Sequence, residues 1–233
     1  HVVNDFNKKD FVVQIPNKKL NEVDCSQILR NFGLPIVTST LIRNTDELKS
    51  IFNEDNNKYV MKIVSPDIQH KTDVGGVKLN IGNIDNAIKS YEEIHLNIKN
   101  NAPNAVVDGV MVSPMVKGGI ECILGAKIDP VFGPIVMFGL GGIYAEVMKD
   151  IAFAEAPISH KKAEKMIMSL QGKDLFYGAR GQSSIDIEAL KEIIVNLSNF
   201  IAANSNQIDQ VEMNPVLVSD KQVIALDALI VTK

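Results

Sequence analysis

Between residues 109 and 146 three apolar runs alternate with glycine-rich breaks, and this stretch restricts the chain's possible folds more than any other. The runs are 109–116, 120–127 and 135–138. Each has the length and β-branched content of a buried strand, and each is bounded by turn residues. Lys117, Gly118 and Gly119 are expected to turn the first run back onto the second, and residues 129–134 to turn it again. Gly139, Gly141 and Gly142 follow at once. Glycines so placed suit a tight hairpin, or a close backbone approach to an anion, and the stretch alone leaves both open.

On either side, helical and strand patterns alternate. Residues 1–20 read as an extended arm. A helix is expected over 21–31, with Asn21 as its cap and Gly33 beyond its end. The run 34–37 reads as entry into a strand. A helix opens at Thr45, with acidic residues in its first turn. Strands are expected at 59–64 and 77–80, a helix at 83–97, and a strand from 106 to 116. Residues 145–153 are either helical or irregular. Residues 159–170 form a helix capped by Ser159, 174–184 a polar loop, and 186–204 a long amphipathic helix with Leu190, Ile193, Ile194, Leu197 and Ile201 on one stripe. The chain closes with a hairpin, 209–219 and 222–233. This is an α+β chain of two lobes, 21–112 and 113–233, each a sheet with helices on one side and with a cleft expected between them.

Composition narrows the function. With 45% hydrophobic and 22% charged residues in 233, the chain can bury an ample core. A net charge of −4 argues against nucleic acid as a main partner. No apolar run approaches a membrane span, and residues 1–10 show no signal-peptide pattern. Cys25 and Cys122 form no metal motif and read as buried thiols of a cytoplasmic protein.

Several residues carry chemistry. Lys62 lies in an apolar strand and needs a counter-charge or a route to solvent; a phosphate or a snorkelling position would each satisfy it. The loop 65–77 gathers His70, Lys71, Thr72, Asp73, Gly75 and Gly76 between two strands. It is either a phosphate-binding loop or an ordinary polar one, and His70 is a possible base or nucleophile. Asn214 and Asp227 fall nearly opposite each other on the terminal hairpin, with Glu212 close by. One Asp and one Asn suit Mg²⁺, which takes its remaining ligands from waters and phosphates; a capped hairpin with an edge aspartate is the alternative. Glu121 and Glu146 flank the central strands, and Arg180 lies between two glycines, where its fork is suited to an anion. His1, His95 and His160 have no supporting cluster and read as surface residues.

Taken together these segments resemble a known family. The residues are LRNFGLPIV at 29–37, KIVSPDIQHKTDVGGV at 62–77, FGPIVMFGLGG at 132–142, GARG at 178–181 and EMNP at 212–215, with Asp227. In this order they resemble the nucleotide-binding β subunit or domain of ADP-forming acyl-CoA (acetyl-CoA) synthetases. These are ATP-grasp proteins related to the β subunit of succinyl-CoA synthetase. The likeness runs from about Asn21 to the C-terminus.

It implies an ATP-grasp fold and the reversible reaction acid + CoA + ATP = acyl-CoA + ADP + phosphate. By resemblance, Lys62 contacts nucleotide phosphates. Ser113, Pro114, Met115 and Val116 form a hinge behind the adenine, and Glu121 lies near the ribose or phosphates. Gly141 and Gly142 approach the phosphates, with Arg180 as a further anion ligand. Asn214 and Asp227 hold Mg²⁺. His70 handles the phosphoryl group, and Glu212 steadies a phosphohistidine brought by an α partner. That CoA-binding partner implies an α2β2 assembly. The family's arginine after Phe153 is replaced by Ala154, and its usual Asp before Met213 by Glu212. Two other readings stand beside this one: a non-catalytic nucleotide-sensing module of a protein acetyltransferase-like protein, and a stand-alone carboxylate–amine ligase.

Overall fold

The computed structural model describes residues 12–16, 18–52, 57–68, 70–142, 150–178 and 184–233. It contains two compact units. The first unit comprises 19–24 and 37–117, and the second 12–16, 25–36 and 118–233.

In the first unit, strands β1 (Thr40–Ile42), β2 (Tyr59–Val64), β3 (Val77–Ile81) and β4 (Gly109–Pro114) form an antiparallel sheet in the order β1-β4-β2-β3. Helix α2 (Ile84–Asn101) starts where the Asn83 side chain accepts the Asn86 N–H at 2.8 Å. Its buried stripe of Ala87, Ile94 and Ile98 packs with Met61, Ile63, Val110 and Val112. Because side chains alternate along a strand, Val60 and Lys62 of β2 take the opposite face. They share that face with their register partners Ser113 and Met111.

In the second unit, β5 (Ile120–Asp129), β6 (Gly133–Leu140), β7 (Ile151–Glu155), β8 (Ile208–Val218) and β10 (Ala228–Thr232) order as β10-β8-β5-β6-β7, and β9 (Val223–Ala225) pairs with β8. Helix α3 (His160–Ser169) is capped by Ser159, and α4 (Ile187–Ala203) by Asp186. The expected stripe on α4 is fully buried, and Leu124, Val136, Phe138, Val211 and Met213 of the sheet are buried with it.

Six expectations change. Lys117, Gly118 and Gly119 do not close a hairpin, because β4 bonds to β1 and β2 while β5 bonds to β6 and β8. The segment is a connector between sheets, and left-handed Gly118 (φ 76°) and Gly119 (φ 94°) redirect it. The division between units therefore falls after Lys117, beyond Ser113. Residues 25–36 join the second unit because Ala225 N–H donates to Pro35 C=O at 2.8 Å and Ile230 N–H donates to Cys25 Sγ at 3.3 Å. Residues 34–37 make a single bridge, Ile36 to Ala225, and the strand comes later, at β1. Residues 151–153 are strand, and a 3₁₀ helix at Lys173–Tyr177 buries Phe176 within the expected polar loop.

Residues 12–16 of the arm, the first helix and the two cysteines behave as read; His1 and the rest of residues 1–11 lie outside the described residues. Val13 N–H donates to Asn204 Oδ1 at 2.9 Å, and its C=O accepts from Gln207. In α1 (Glu22–Arg30), Asn21 Oδ1 accepts the Asp24 N–H at 3.0 Å while Asp24 Oδ2 accepts the Asn21 N–H at 3.2 Å, a reciprocal cap. Both cysteines are buried thiols.

Candidate functional site

The first unit brings Lys62 and Lys71 to one carboxylate. Lys62 Nζ lies 3.5 Å from Glu22 Oε1, and Lys71 Nζ lies 2.9 Å from Glu22 Oε2. The side chains are 14%, 13% and 4% exposed for Lys62, Lys71 and Glu22. The counter-charge that an apolar strand demands of Lys62 is therefore Glu22, the first residue of α1. Glu22 thus gathers two ammonium groups in a place where water screens little. His70 is exposed directly before Lys71. The turn behind it is closed by Gly75 N–H to Thr72 C=O at 3.0 Å and Gly76 N–H to Lys71 C=O at 2.8 Å. Asp67, in the same loop, accepts the Val106 N–H and the Lys19 ammonium, which hold its carboxyl below the usual range.

Of the four hinge candidates, Ser113 is buried opposite Val60, while Pro114 is exposed opposite Tyr59. Met115 and Val116 follow β4 and are partly exposed. Met115 N–H donates to Lys58 C=O at 2.7 Å, so this N–H is already committed.

The second unit assembles two groups. In the first, Gly141 N–H donates to Glu121 C=O at 2.7 Å, and a Cβ at Gly142 (φ 59°) would lie 3.2 Å from Glu121 Oε2. The glycines thus lie against Glu121. With its N–H committed, Gly141 contributes a close backbone approach instead of a donor. A carboxylate beside the glycines suits hydroxyl groups better than phosphates.

The second group rests on a local fault in the sheet. The β5–β8 register shifts between Cys122 and Leu124, so that Asn214 and Pro215 bulge from β8. Met213 pairs with Ala228 and Val216 with Ala225, which sets Leu226 and Asp227 across from Asn214 and Pro215. Asn214 and Asp227 therefore hold register positions nearly opposite each other. Glu212 Oε1 accepts from Asn214 Nδ2 at 3.2 Å and Oε2 from Gln210 Nε2 at 3.5 Å. Holding the amide nitrogen turns the Asn214 carbonyl oxygen away from Glu212. One amide oxygen and one carboxylate form a donor set that fits Mg²⁺ completed by phosphates and waters. Among the described residues, no three His, Cys, Asp or Glu side chains are grouped to hold a metal by themselves.

Arg180 and Glu146 lie outside the described residues. His160 is at the surface, paired with Glu192 at 2.6 Å. His95 is half-buried: it packs on Tyr91 with ring centroids 4.4 Å apart, and burial pushes its imidazole pKa down. The residues that sequence reasoning missed are Glu22 and the specific part played by Lys71. The available signal was the charge of Lys62 in an apolar strand, which needs a counter-charge or a route to solvent.

The model of the ATP-grasp domain family matches residues 12–232. The chain belongs to the ATP-grasp family. Within that family it is 40% identical over 212 residues to the β subunit of acetate–CoA ligase [ADP-forming] I of Pyrococcus furiosus, covering 91% of each chain. It is also 40% identical over 222 residues to the 4-hydroxybutyrate–CoA ligase [ADP-forming] of Nitrosopumilus maritimus; there it covers 94% of its own length and only 32% of the relative's. The ATP-grasp chain therefore matches a β subunit nearly end to end, and about a third of a longer ligase. Its fold superposes on the acetyl-coenzyme A synthetase 1 of Ca. Korarchaeum cryptofilum, solved with coenzyme A and Ca-AMPCP. The TM-score is 0.87 and the identity 35%, over 93% of this chain and 95% of that one. Another structure of that synthetase holds Mg-AMPPCP, with its phosphohistidine segment pointing towards the nucleotide binding site. No helix among the described residues is long and apolar enough to cross a membrane.

Proposed function

We propose that this chain is the nucleotide-binding β subunit or domain of an ADP-forming acyl-CoA synthetase, converting acid, CoA and ATP reversibly to acyl-CoA, ADP and phosphate. Its part is to move a phosphoryl group between ATP or ADP and a phosphohistidine of a CoA-binding α partner, in an α2β2 assembly of the cytoplasm. The observation that carries this reading is the register that sets Asn214 across from Asp227, between the β8–β10 and β8–β9 ladders. It is supported by the end-to-end match to a β subunit.

Phosphoryl transfer depends on positioning and charge neutralisation more than on covalent chemistry from the protein. Lys62 meets the nucleotide phosphates, and Lys71 lies beside it on the shared carboxylate of Glu22. Asn214 and Asp227 hold Mg²⁺, which supplies charge neutralisation on the phosphate oxygens when bound. Glu212 orients the Asn214 amide and faces the incoming phosphohistidine. Residues 113–116 flank the adenine, Glu121 accepts from the ribose hydroxyls beside Gly141 and Gly142, and Arg180 adds an anion contact. His70, exposed at the tip of its turn, receives or steadies the phosphoryl group.

The test is acid-labile phosphate formed from γ-labelled ATP and Mg²⁺, on this chain alone and with a CoA-binding α partner. Label that depends on Lys62 and Asp227 is expected. Its loss from this chain in His70→Ala would make His70 the carrier. Label on the partner alone would make His70 a ligand. Nucleotide binding with label on neither chain would overturn the synthetase in favour of a sensing module.

A further inference from the structure

Glu22 stands outside every role assigned above, yet it is the most deeply buried charged group beside the candidate phosphate lysine. Its carboxylate is divided between two cations, with Oε1 toward Lys62 at 3.5 Å and Oε2 toward Lys71 at 2.9 Å. The two contacts are unequal. Lys62 donates a hydrogen bond to Oε1 at 3.5 Å, at the distance limit, whereas Lys71 and Oε2, at 2.9 Å, form the closer ion pair without hydrogen-bond geometry.

Glu22 is itself fixed. It is the first residue of α1, where the helix dipole favours a carboxylate. The residue before it, Asn21, caps the helix and donates through Nδ2 to Asp108 Oδ2 at 2.8 Å, next to β4. Glu22 is thus a rigid anion reached by one lysine from a strand and one from the turn that follows His70.

We propose that Glu22 is a positioning residue that acts through both lysines. Toward Lys71 it is a permanent anchor, which holds the 71–76 turn and so fixes where His70 is displayed. Toward Lys62 it is a resting counter-ion, which a nucleotide phosphate displaces. The longer contact is the one that exchanges; the shorter one persists. The Lys62 half rests on the reading of Lys62 as a phosphate ligand, while the Lys71 half does not.

Two measurements on the full chain separate the halves. In hydrogen exchange, Glu22→Gln and Lys71→Met are each expected to speed the Gly75 and Gly76 amides at least tenfold. The Met61 and Val112 amides of the sheet should keep their protection, and Lys71→Arg should restore the turn. In calorimetry with Mg·ADP, Glu22→Gln is expected to bind at least as tightly as the parent chain, since a competing carboxylate is gone, whereas Lys62→Met binds at least tenfold more weakly. A residue that merely stabilised the fold would weaken binding and loosen sheet and turn together.

Unchanged Gly75 and Gly76 exchange in both variants would overturn the anchor. Glu22→Gln binding as weakly as Lys62→Met would overturn the resting counter-ion. Equal binding by Lys62→Met and the parent chain would instead overturn the phosphate reading of Lys62, and the counter-ion half with it. If Glu22→Gln does not fold, Lys71→Met decides the anchor alone, because it leaves the Lys62–Glu22 contact in place.

Discussion

At the scale of single residues, His95 gives the sharpest expectation. Its imidazole is partly buried against Tyr91, and its Nε2 is buried without a hydrogen-bond partner. Burial disfavours the charged ring, so the folded state holds the neutral form and the pKa is lowered. The unfolded chain then takes up the proton first. The stabilising contribution is therefore complete above the ordinary histidine pKa and is lost as pH falls through the lowered folded value. Melting temperatures from about pH 8 down to about pH 5 should decline in the parent chain. In His95→Phe, which keeps the ring contact, that part of the decline should vanish; an identical slope in both would refute the assignment. The same scale shows where sequence reasoning stops. That Lys62 needed a counter-charge or a route to solvent was legible from its apolar strand. That the acid is Glu22, forty positions away in sequence, was not, because nothing local links the two. Burial of the His95 Nε2 was equally hidden, because position 95 lies beside the buried stripe of Ala87, Ile94 and Ile98 and not on it.

At the scale of elements, the strands and helices with clean periods were legible, and the ambiguous ones had physical reasons. The segment Ile151–Glu155 alternates small and large residues on an edge strand with Ile151 and Phe153 exposed, so neither a helix stripe nor a buried run stands out. Ala154 is buried opposite Val136 on the helix-covered face, where a small apolar residue fits. The Lys117–Gly119 connector misled for another reason: local turn chemistry states that the chain bends, and not which sheet it joins next. Asp150, immediately before this strand, ties it to the α3 exit. Its buried carboxylate accepts the Gln171 and Gly172 N–H groups, each at 2.8 Å. Asp150→Ala orphans both donors and should cost about 1–3 kcal/mol per donor. Asp150→Asn retains one acceptor and should cost less. Urea denaturation of the two variants measures the order, and equal midpoints would remove the capping role.

At the scale of the whole molecule, the α+β class and the number of compact units follow from the sequence, whereas the allotment of residues between the units does not. Residues 25–36 read as part of the first lobe because they adjoin it in the chain. Their buried side chains Leu29 and Leu34 and the Pro35–Ala225 hydrogen bond place them in the second unit. A division drawn from packing has an energetic consequence. Ile94 is fully buried among Met61, Ile63 and Val110, all in the first unit. Ile94→Ala leaves a cavity there and should cost about 2–5 kcal/mol. If each unit unfolds as its own cooperative block, native-state hydrogen exchange in this variant should lose protection across β2, β3 and β4 and keep it in β5, β6 and β8. Phe138→Ala, in the other core, should show the opposite pattern. A loss spread evenly over both sheets in either variant would make the chain one cooperative body. The expected pattern would mean that Lys62, Glu22 and His70 are stabilised by one core and Asn214 and Asp227 by another, so that damage to one set leaves the other folded.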